Sequence, residues 1–306
     1  MSLYNFTLII PTHNRHNYFN RISEYFLDSK IQVVVCDSSA QKYNNFFEKN
    51  INYLHLPGFQ FSEKILYTIN KYNSEFFALC ADDDFIILDS LIKGFNFLKK
   101  NKSFQTVLGK NILFLKEFNG KFYSSQELKH SEINYTAEKN NRIFFSDYRQ
   151  ILWGIYSKKV IEDSFKIIKD SNLHNDNFIE FILGAVACHN GGIKFFESLW
   201  SIRELSFDDH WGTRHKQIHN YYTSSKIRDD FRRVENLLDK YTFKGYSKMT
   251  LKYYLNFSSI DVFIIYIKFI LKYISPRCFL RLLYVKKNPT KDILSSLNEV
   301  EIDKNY

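Results

Sequence analysis

Three adjacent carboxylates, Asp82-Asp83-Asp84, close the apolar run Phe76-Phe77-Ala78-Leu79, and apolar residues resume at Phe85-Ile86. Carboxylates crowded this closely repel one another at neutral pH. A divalent cation offsets that repulsion, because Mg2+ and Mn2+ prefer carboxylate oxygens and Mg2+ is commonly shared with substrate phosphates. The ordinary alternative is a solvated turn before a helix, where Asp is also favourable. Two more polar clusters close apolar runs in the same way. Thr12-His13-Asn14-Arg15 follows Phe6-Thr7-Leu8-Ile9-Ile10-Pro11, and Asp37-Ser38-Ser39 follows Ile31-Gln32-Val33-Val34-Val35-Cys36. Asp176 and Glu180 stand four apart, which puts both carboxylates on one face of a helix, as catalytic acids or as a capping Asp with a solvated Glu. Arg203 ends a later apolar run, and Asp209 and His210 follow in a polar, aromatic stretch.

These side chains need elements to hold them. An apolar run without polar alternation reads as a strand buried on both faces. Residues 6–11, 31–36 and 76–80 have that form, while Ile51 to Leu56 alternates with period two and reads as a strand ended by Pro57-Gly58. Helical spacing lies between them: Tyr18 to Leu27, a helix opened by Ser62-Glu63-Lys64 with Ile65, Leu66, Ile69 and Tyr72, and Leu88 to Leu98. Residues 41–48 read as a short helix. Such alternation predicts an α/β fold with a mostly parallel sheet and helices on both faces. In a parallel sheet the three polar clusters share one edge, and ligands sit off the carboxyl ends of strands.

Further along, Thr106-Val107-Leu108 and Ile112-Leu113-Phe114-Leu115 read as one or two strands, and residues 126–142 as a surface loop over the site. Ile151 to Tyr156 reads as a strand, Lys158 to Ile168 as a helix, and Asp176 as the start of another helix running through Ala187. Gly192 to Phe196 leads to a strand from Leu199 to Glu204. From about Lys216 only helical patterns follow: Ile227–Tyr241, Lys248–Phe257, Ile260–Ile274 and Pro276–Tyr284. The boundary therefore falls near residue 212, with a catalytic unit over 1–212 and a helical region over 213–306. The last two helices are too short and too charged to span a bilayer. They suit either an anionic leaflet or an ordinary packed subdomain.

The bulk numbers narrow the class. At 306 residues with 45% hydrophobic and 18% aromatic content, the chain can bury a large core and is not disordered. The excess of Asn, Lys, Ile, Phe and Tyr resembles an AT-rich coding bias, so single Lys and Asn residues count for little. A formal charge of +9 suits a phosphate-bearing partner. Cys36, Cys80, Cys188 and Cys278 show no CxxC or zinc spacing, which fits a reducing, cytoplasmic compartment. No signal peptide or membrane-spanning run is evident. No nucleic-acid-binding motif is present, so nucleic acid is not an expected partner.

Taken together, Thr7 to Arg15, Val33 to Ser39 and Ala81-Asp82-Asp83-Asp84 resemble, in order and spacing, the first strand and loop, the second strand and the DxD motif of the GT-A glycosyltransferases. The inverting family-two group is the nearest likeness, covering roughly residues 5–205. The resemblance implies a nucleotide-sugar donor, a UDP-sugar first among them, held through Mn2+ or Mg2+. Pro11, Thr12, Asn14 and Arg15 would line the nucleotide pocket, Asp37 would accept a hydrogen bond from the base, and Lys64 would approach base or diphosphate. Asp82 would lie near ribose and metal, Asp83 or Asp84 would be the main metal ligand, and Arg203 would face the donor. Cys80 stands where one alignment places the first acid of the motif. An inverting transfer needs a base, for which Asp176 matches the family's place and Glu180 is the reserve; a retaining enzyme would need none. His210 or Asp209 would complete the metal or diphosphate site. The acceptor would be a glycan or lipid-linked glycan of a bacterial surface polysaccharide, of capsule, O-antigen or lipooligosaccharide type. The protein would work as a peripheral protein on the inner face of the cell membrane, with a second copy of the chain as a candidate partner.

Two rivals differ in class. A sugar-phosphate nucleotidyltransferase needs a Gly-rich loop after the first strand to cradle a triphosphate, and Thr12-His13-Asn14-Arg15 has no Gly. A non-catalytic, basic membrane-docking protein rests on the charge and the C-terminal helices.

Overall fold

The first strand, β1 (Phe6–Thr12), lies inside the sheet, with β2 (Gln32–Asp37) on one side and β4 (Phe76–Leu79) on the other, both parallel to it. The computed structural model describes residues 5–44, 50–114, 122–124, 131–204 and 218–255. Beyond β2 lies β3 (Ile51–His55), also parallel. The remaining strands are β5 (Phe85–Ile86), β6 (Phe104–Phe114), β7 (Phe122–Ser124), β8 (Glu132–Ile133), β9 (Ile155–Ser157) and β10 (Gly192–Glu204). The order is β3-β2-β1-β4-β9-β6-β10-β5, with β7 on β6 and β8 on β10. β9 runs antiparallel between β4 and β6, and the long pair β6 and β10 is parallel. The sheet is thus mostly parallel, with short antiparallel strands inserted.

Period-two alternation divides the central strands between two cores. Leu8, Ile10, Val33, Val35 and Ala78 face the side covered by α1 (Phe19–Phe26) and α3 (Leu88–Lys100). Ile9, Val34, Cys36 and Leu79 face the side covered by α2 (Phe61–Lys71), α5 (Lys158–Ser171) and α6 (Asn177–Asn190). Burial on both faces explains why these strands read as unbroken apolar runs. Local signals set some of the helix ends. Glu63 reaches back to the Gln60 backbone amide at 3.0 Å at the start of α2, and Asn172 takes a left-handed conformation (φ 46°) at the end of α5.

Several expectations are corrected. Residues 131–142 are not a loop over the site. They hold β8 and the start of α4 (Ala137–Ser146), whose Asn140 and Asn141 are buried. Asn140 donates to the carbonyls of Cys188 and Gly191, at 3.3 and 3.1 Å, so polar residues that look solvent-facing in sequence are interior caps on α6. Residues 126–130 lie outside the described residues. The strand expected from Ile151 begins only at Ile155, because the Gly154 amide turns back onto the Ile151 carbonyl at 3.0 Å. The segments at 104–114 and 192–204 are each one continuous strand with register shifts between them. Of the helix expected at 41–48, residues 41–44 are not helical and 45–49 lie outside the described residues.

After a short 3-10 turn at Ile218–Tyr222 come α7 (Ser225–Tyr241) and α8 (Tyr246–Leu255). Ile227, Phe231, Val234, Leu238, Tyr246 and Leu251 join the core formed by α4, α5 and α6. The helical patterns from Ile260 onward lie outside the described residues. No described helix is long and apolar enough to cross a membrane.

Candidate functional site

The carboxyl ends of β1, β2 and β4 bring their three polar clusters into direct contact. Thr12 pairs with Asp37 in register, and its hydroxyl donates to Asp82 Oδ2 at 2.6 Å. The chain then turns sharply at Asn14, which adopts φ 55°, a conformation that Asn tolerates better than most residues. The Asn14 amide donates to Ser39 Oγ at 2.7 Å, locking the turn to the tip of β2. That turn swings Arg15 back across the sheet edge. Its guanidinium bridges Asp82 at 2.9 Å and Asp83 at 2.6 Å. Pro11 precedes the turn at the partly exposed end of β1.

Asp84 is held from the other side. β5 pairs antiparallel with β10, placing Phe85 opposite Ile202, so Arg203 meets Asp84 with Nε 3.2 Å from Oδ2. Arg203 also donates to Gln150 Oε1 at 2.5 Å and lies over the Trp153 ring. Arg21 of α1 adds a contact to the Asp82 carbonyl at 3.0 Å. The carboxylate trio is therefore balanced by Arg15, Arg21 and Arg203. Burial pushes the Asp82 carboxyl up to about 6, while Arg15, Thr12 and Arg21 pull the other way and Asp83 adds to the rise.

Asp37 is fully buried and well supplied with donors. It accepts from the Ser39 amide at 2.8 Å, the Ser39 hydroxyl, the Tyr53 hydroxyl at 2.7 Å and His16 Nε2 at 2.8 Å. Burial alone would raise its pKa, but these hydrogen bonds outweigh burial and hold it below the usual range. Lys64, in the first turn of α2, is buried beneath the strand tips. Its Nζ donates to the Thr12 carbonyl at 2.7 Å and to Ser38 Oγ at 3.1 Å, and burial lowers its pKa. Lys64 thus ties β1 to β2.

Glu180, in the first turn of α6, faces the same neighbourhood. Its carboxylate accepts from the Leu152 amide and the Tyr148 hydroxyl, each at 3.3 Å. Burial raises its pKa, opposed first by the charge of Arg203, the residue that also holds Asp84. Asp176 stands at the start of α6, its carbonyl accepting from the Ile179 amide at 3.0 Å. Asp209 and His210 lie outside the described residues.

Arg21, Gln150, Trp153, Tyr148, His16 and Tyr53 are site neighbours that sequence reading passes over. The polar positions of α1 resemble a solvent face, and the 150–154 turn resembles the start of a strand. Among the described residues no three His, Cys, Asp or Glu side chains converge as a metal site. The carboxylates are nonetheless hard oxygen donors of the kind Mg2+ and Mn2+ use, and such ions commonly take one or two protein carboxylates plus substrate phosphates. The donor chemistry therefore fits a divalent cation completed by a ligand.

No protein-family model matches the chain. A protein of Metamycoplasma hominis described only as "Uncharacterized protein" is 22% identical over 227 residues, spanning 65% of this chain and 80% of its own. Among solved structures, S. aureus TarS 1-349 in complex with UDP-GlcNAc superposes over 96% of this chain and 80% of its own, with TM-score 0.55 and 17% identity. The UDP complex of the same protein covers 82% and 89%, with TM-score 0.48 and 14% identity. Sheet, flanking helices and the superposition on the UDP-GlcNAc complex agree, and the chain has a GT-A fold.

Proposed function

We propose that the protein is a glycosyltransferase that moves a sugar from a nucleotide-sugar donor, a UDP-sugar first among them, to a hydroxyl of a cell-surface glycan. The observation that carries this reading is the convergence of Thr12, Arg15 and Asp82 at the edge formed by β1, β2 and β4. In open α/β sheets that edge is where ligands bind. The likeness to a protein solved with UDP-GlcNAc supports the same donor class here.

The electrostatics support a cation as well. Three carboxylates face three arginines, so the trio is near balance before any donor arrives. A diphosphate adds negative charge. A Mn2+ or Mg2+ ion held by Asp82 and Asp84, with Asp83 and His210 as further candidates, would offset that charge as the leaving group departs. Arg15 and Arg203 stand beside the trio and supply fixed positive charge to the same phosphates. Pro11, Thr12 and Asn14 shape the nucleotide pocket, and Lys64 keeps the Thr12 and Ser38 tips in register.

For an inverting transfer the acceptor hydroxyl must lose a proton. Glu180 and Asp176 are the candidate bases. The raised pKa of Glu180 makes it, once ionised, a stronger proton acceptor than an ordinary carboxylate, and its electrostatic contact with Arg203 links it to Asp84. The acceptor belongs to a capsule, O-antigen or lipooligosaccharide type of glycan. The +9 charge supports peripheral docking on an anionic inner membrane face.

The test is donor hydrolysis and transfer over a Mn2+ titration against EDTA. Asp84→Ala should lower metal-dependent turnover by roughly 100-fold, and Glu180→Gln by a comparable factor while nucleotide binding survives. Unchanged turnover in Asp84→Ala sinks the metal assignment. Full activity in Glu180→Gln with loss in Asp176→Asn moves the base to Asp176.

A further inference from the structure

The link between α5 and α6 carries Asp176 and leads directly into Glu180, yet it is short and holds few apolar anchors. Within it, Asn175 is buried and its Oδ1 accepts from the Asn177 amide at 3.0 Å, which starts α6. Further support comes from α7, which sequence reading assigns to a separate helical region. Arg233 Nη1 donates to the Asn172 carbonyl at 2.7 Å. Asp230 Oδ1 accepts from the His174 amide at 3.1 Å. These two side chains stand three apart, on neighbouring positions of one helix face. They match a carbonyl and an amide two residues apart on the link.

Asp230 is an odd choice for a helix interior. It is 0% exposed, among Ile227, Phe231 and Val234, and its Oδ2 has no hydrogen-bond partner among the described residues. Burying a carboxylate with one oxygen unsatisfied is costly. A purely apolar residue would pack there without that cost but would orphan the His174 amide. The hydrogen bond to the His174 amide is what this buried carboxylate supplies that an apolar residue would not.

We propose that Asp230 and Arg233 are positioning residues: α7 clamps the 172–176 link and thereby sets where α6 presents Asp176 and Glu180 to the acceptor. This rests on the glycosyltransferase reading for its consequence but not for the clamp itself. Small displacements of a reacting group cost rate rather than donor affinity.

The test compares wild type with Asp230→Asn, Asp230→Leu and Arg233→Met by hydrogen exchange and by transfer kinetics. Asp230→Leu should speed exchange of the 174–178 amides roughly tenfold or more, with the β1 amides unchanged. It should lower kcat about tenfold with donor KM within about twofold. Asp230→Asn keeps an acceptor for His174 and should restore kcat to within about threefold of wild type. Arg233→Met removes a surface side chain without disturbing the core, so it reports on the Asn172 contact even where Asp230→Leu fails to fold. Unchanged exchange at 172–178 in Arg233→Met and in any folded Asp230 variant would overturn the clamp. Equal losses in kcat and donor affinity would overturn the positioning role. A wild type that turns over no nucleotide sugar overturns the enzymatic reading instead, and exchange still decides the clamp.

Discussion

At the level of single residues, Asp82 is the most informative titrating group. Burial moves its pKa from 3.8 to about 6. A raised carboxyl means that the native state holds its proton more tightly than the unfolded chain does. Stability from this group is therefore complete below about pH 4, falls as pH rises toward 6, and is flat above; the full change is about 3 kcal/mol. This is opposite in sign to ordinary acid denaturation. Urea melts of wild type and Asp82→Asn between pH 4 and 7 should diverge across that window, and a pH-independent difference would mean that Asp82 titrates normally. Asp37 contributes in the other direction. Its depressed pKa adds stability above the unfolded value that is lost as pH falls through the folded one. Much of this chemistry is legible in sequence as residue types at strand ends. The partners are not, because Arg15 and Asp83 are separated by 68 positions and Arg203 and Asp84 by 119.

Among the elements, α6 sets the candidate base, and its depth in the fold rests on close contact with α4. At Gly184 the two helices pack with no room for a side chain. A Cβ built there would lie 2.6 Å from one ring carbon of Phe144 and 3.1 Å from another of Phe145, and both rings are buried. Gly184→Ala gains about 1 kcal/mol of helix propensity but overpacks the contact by about 1–3 kcal/mol. The net expectation is a lower melting temperature and weaker transfer, since α6 must shift. An unchanged or higher melting temperature would show that the rings yield freely. The helix α4 itself was hidden from pattern reading. Its polar Asn140 and Asn141 point inward to cap α6 and to meet Thr250 on α8, at 2.6 Å for Asn141, so amphipathic spacing misreports its faces.

For the molecule as a whole, α7 and α8 close the core that α5 and α6 leave open. Six of their side chains, Ile227, Phe231, Val234, Leu238, Tyr246 and Leu251, are buried there. Each contributes about 1.5–3 kcal/mol on burial, so together they rival the total stability of about 5–15 kcal/mol typical of a folded domain. A chain ending at residue 217 should therefore fail to show a cooperative melt and should precipitate. A soluble 1–217 chain melting at the wild-type temperature would make the C-terminal helices dispensable.

By itself the sequence determined the strands β1 to β4, the helices α1 to α3 that flank them and the polar residues that end β1, β2 and β4. Those features are local: apolar runs report burial along one element, and strand ends follow from where the run stops. Only the tertiary structure decided that Arg15 bridges two carboxylates, that Arg203 holds the third, that Lys64 lies under the strand tips and that α7 reaches the link ahead of Asp176. Each of these joins residues far apart in the chain. Their meeting depends on strand order, on β5 pairing with β10 and on one left-handed turn at Asn14, and no periodicity along a single segment encodes such a meeting.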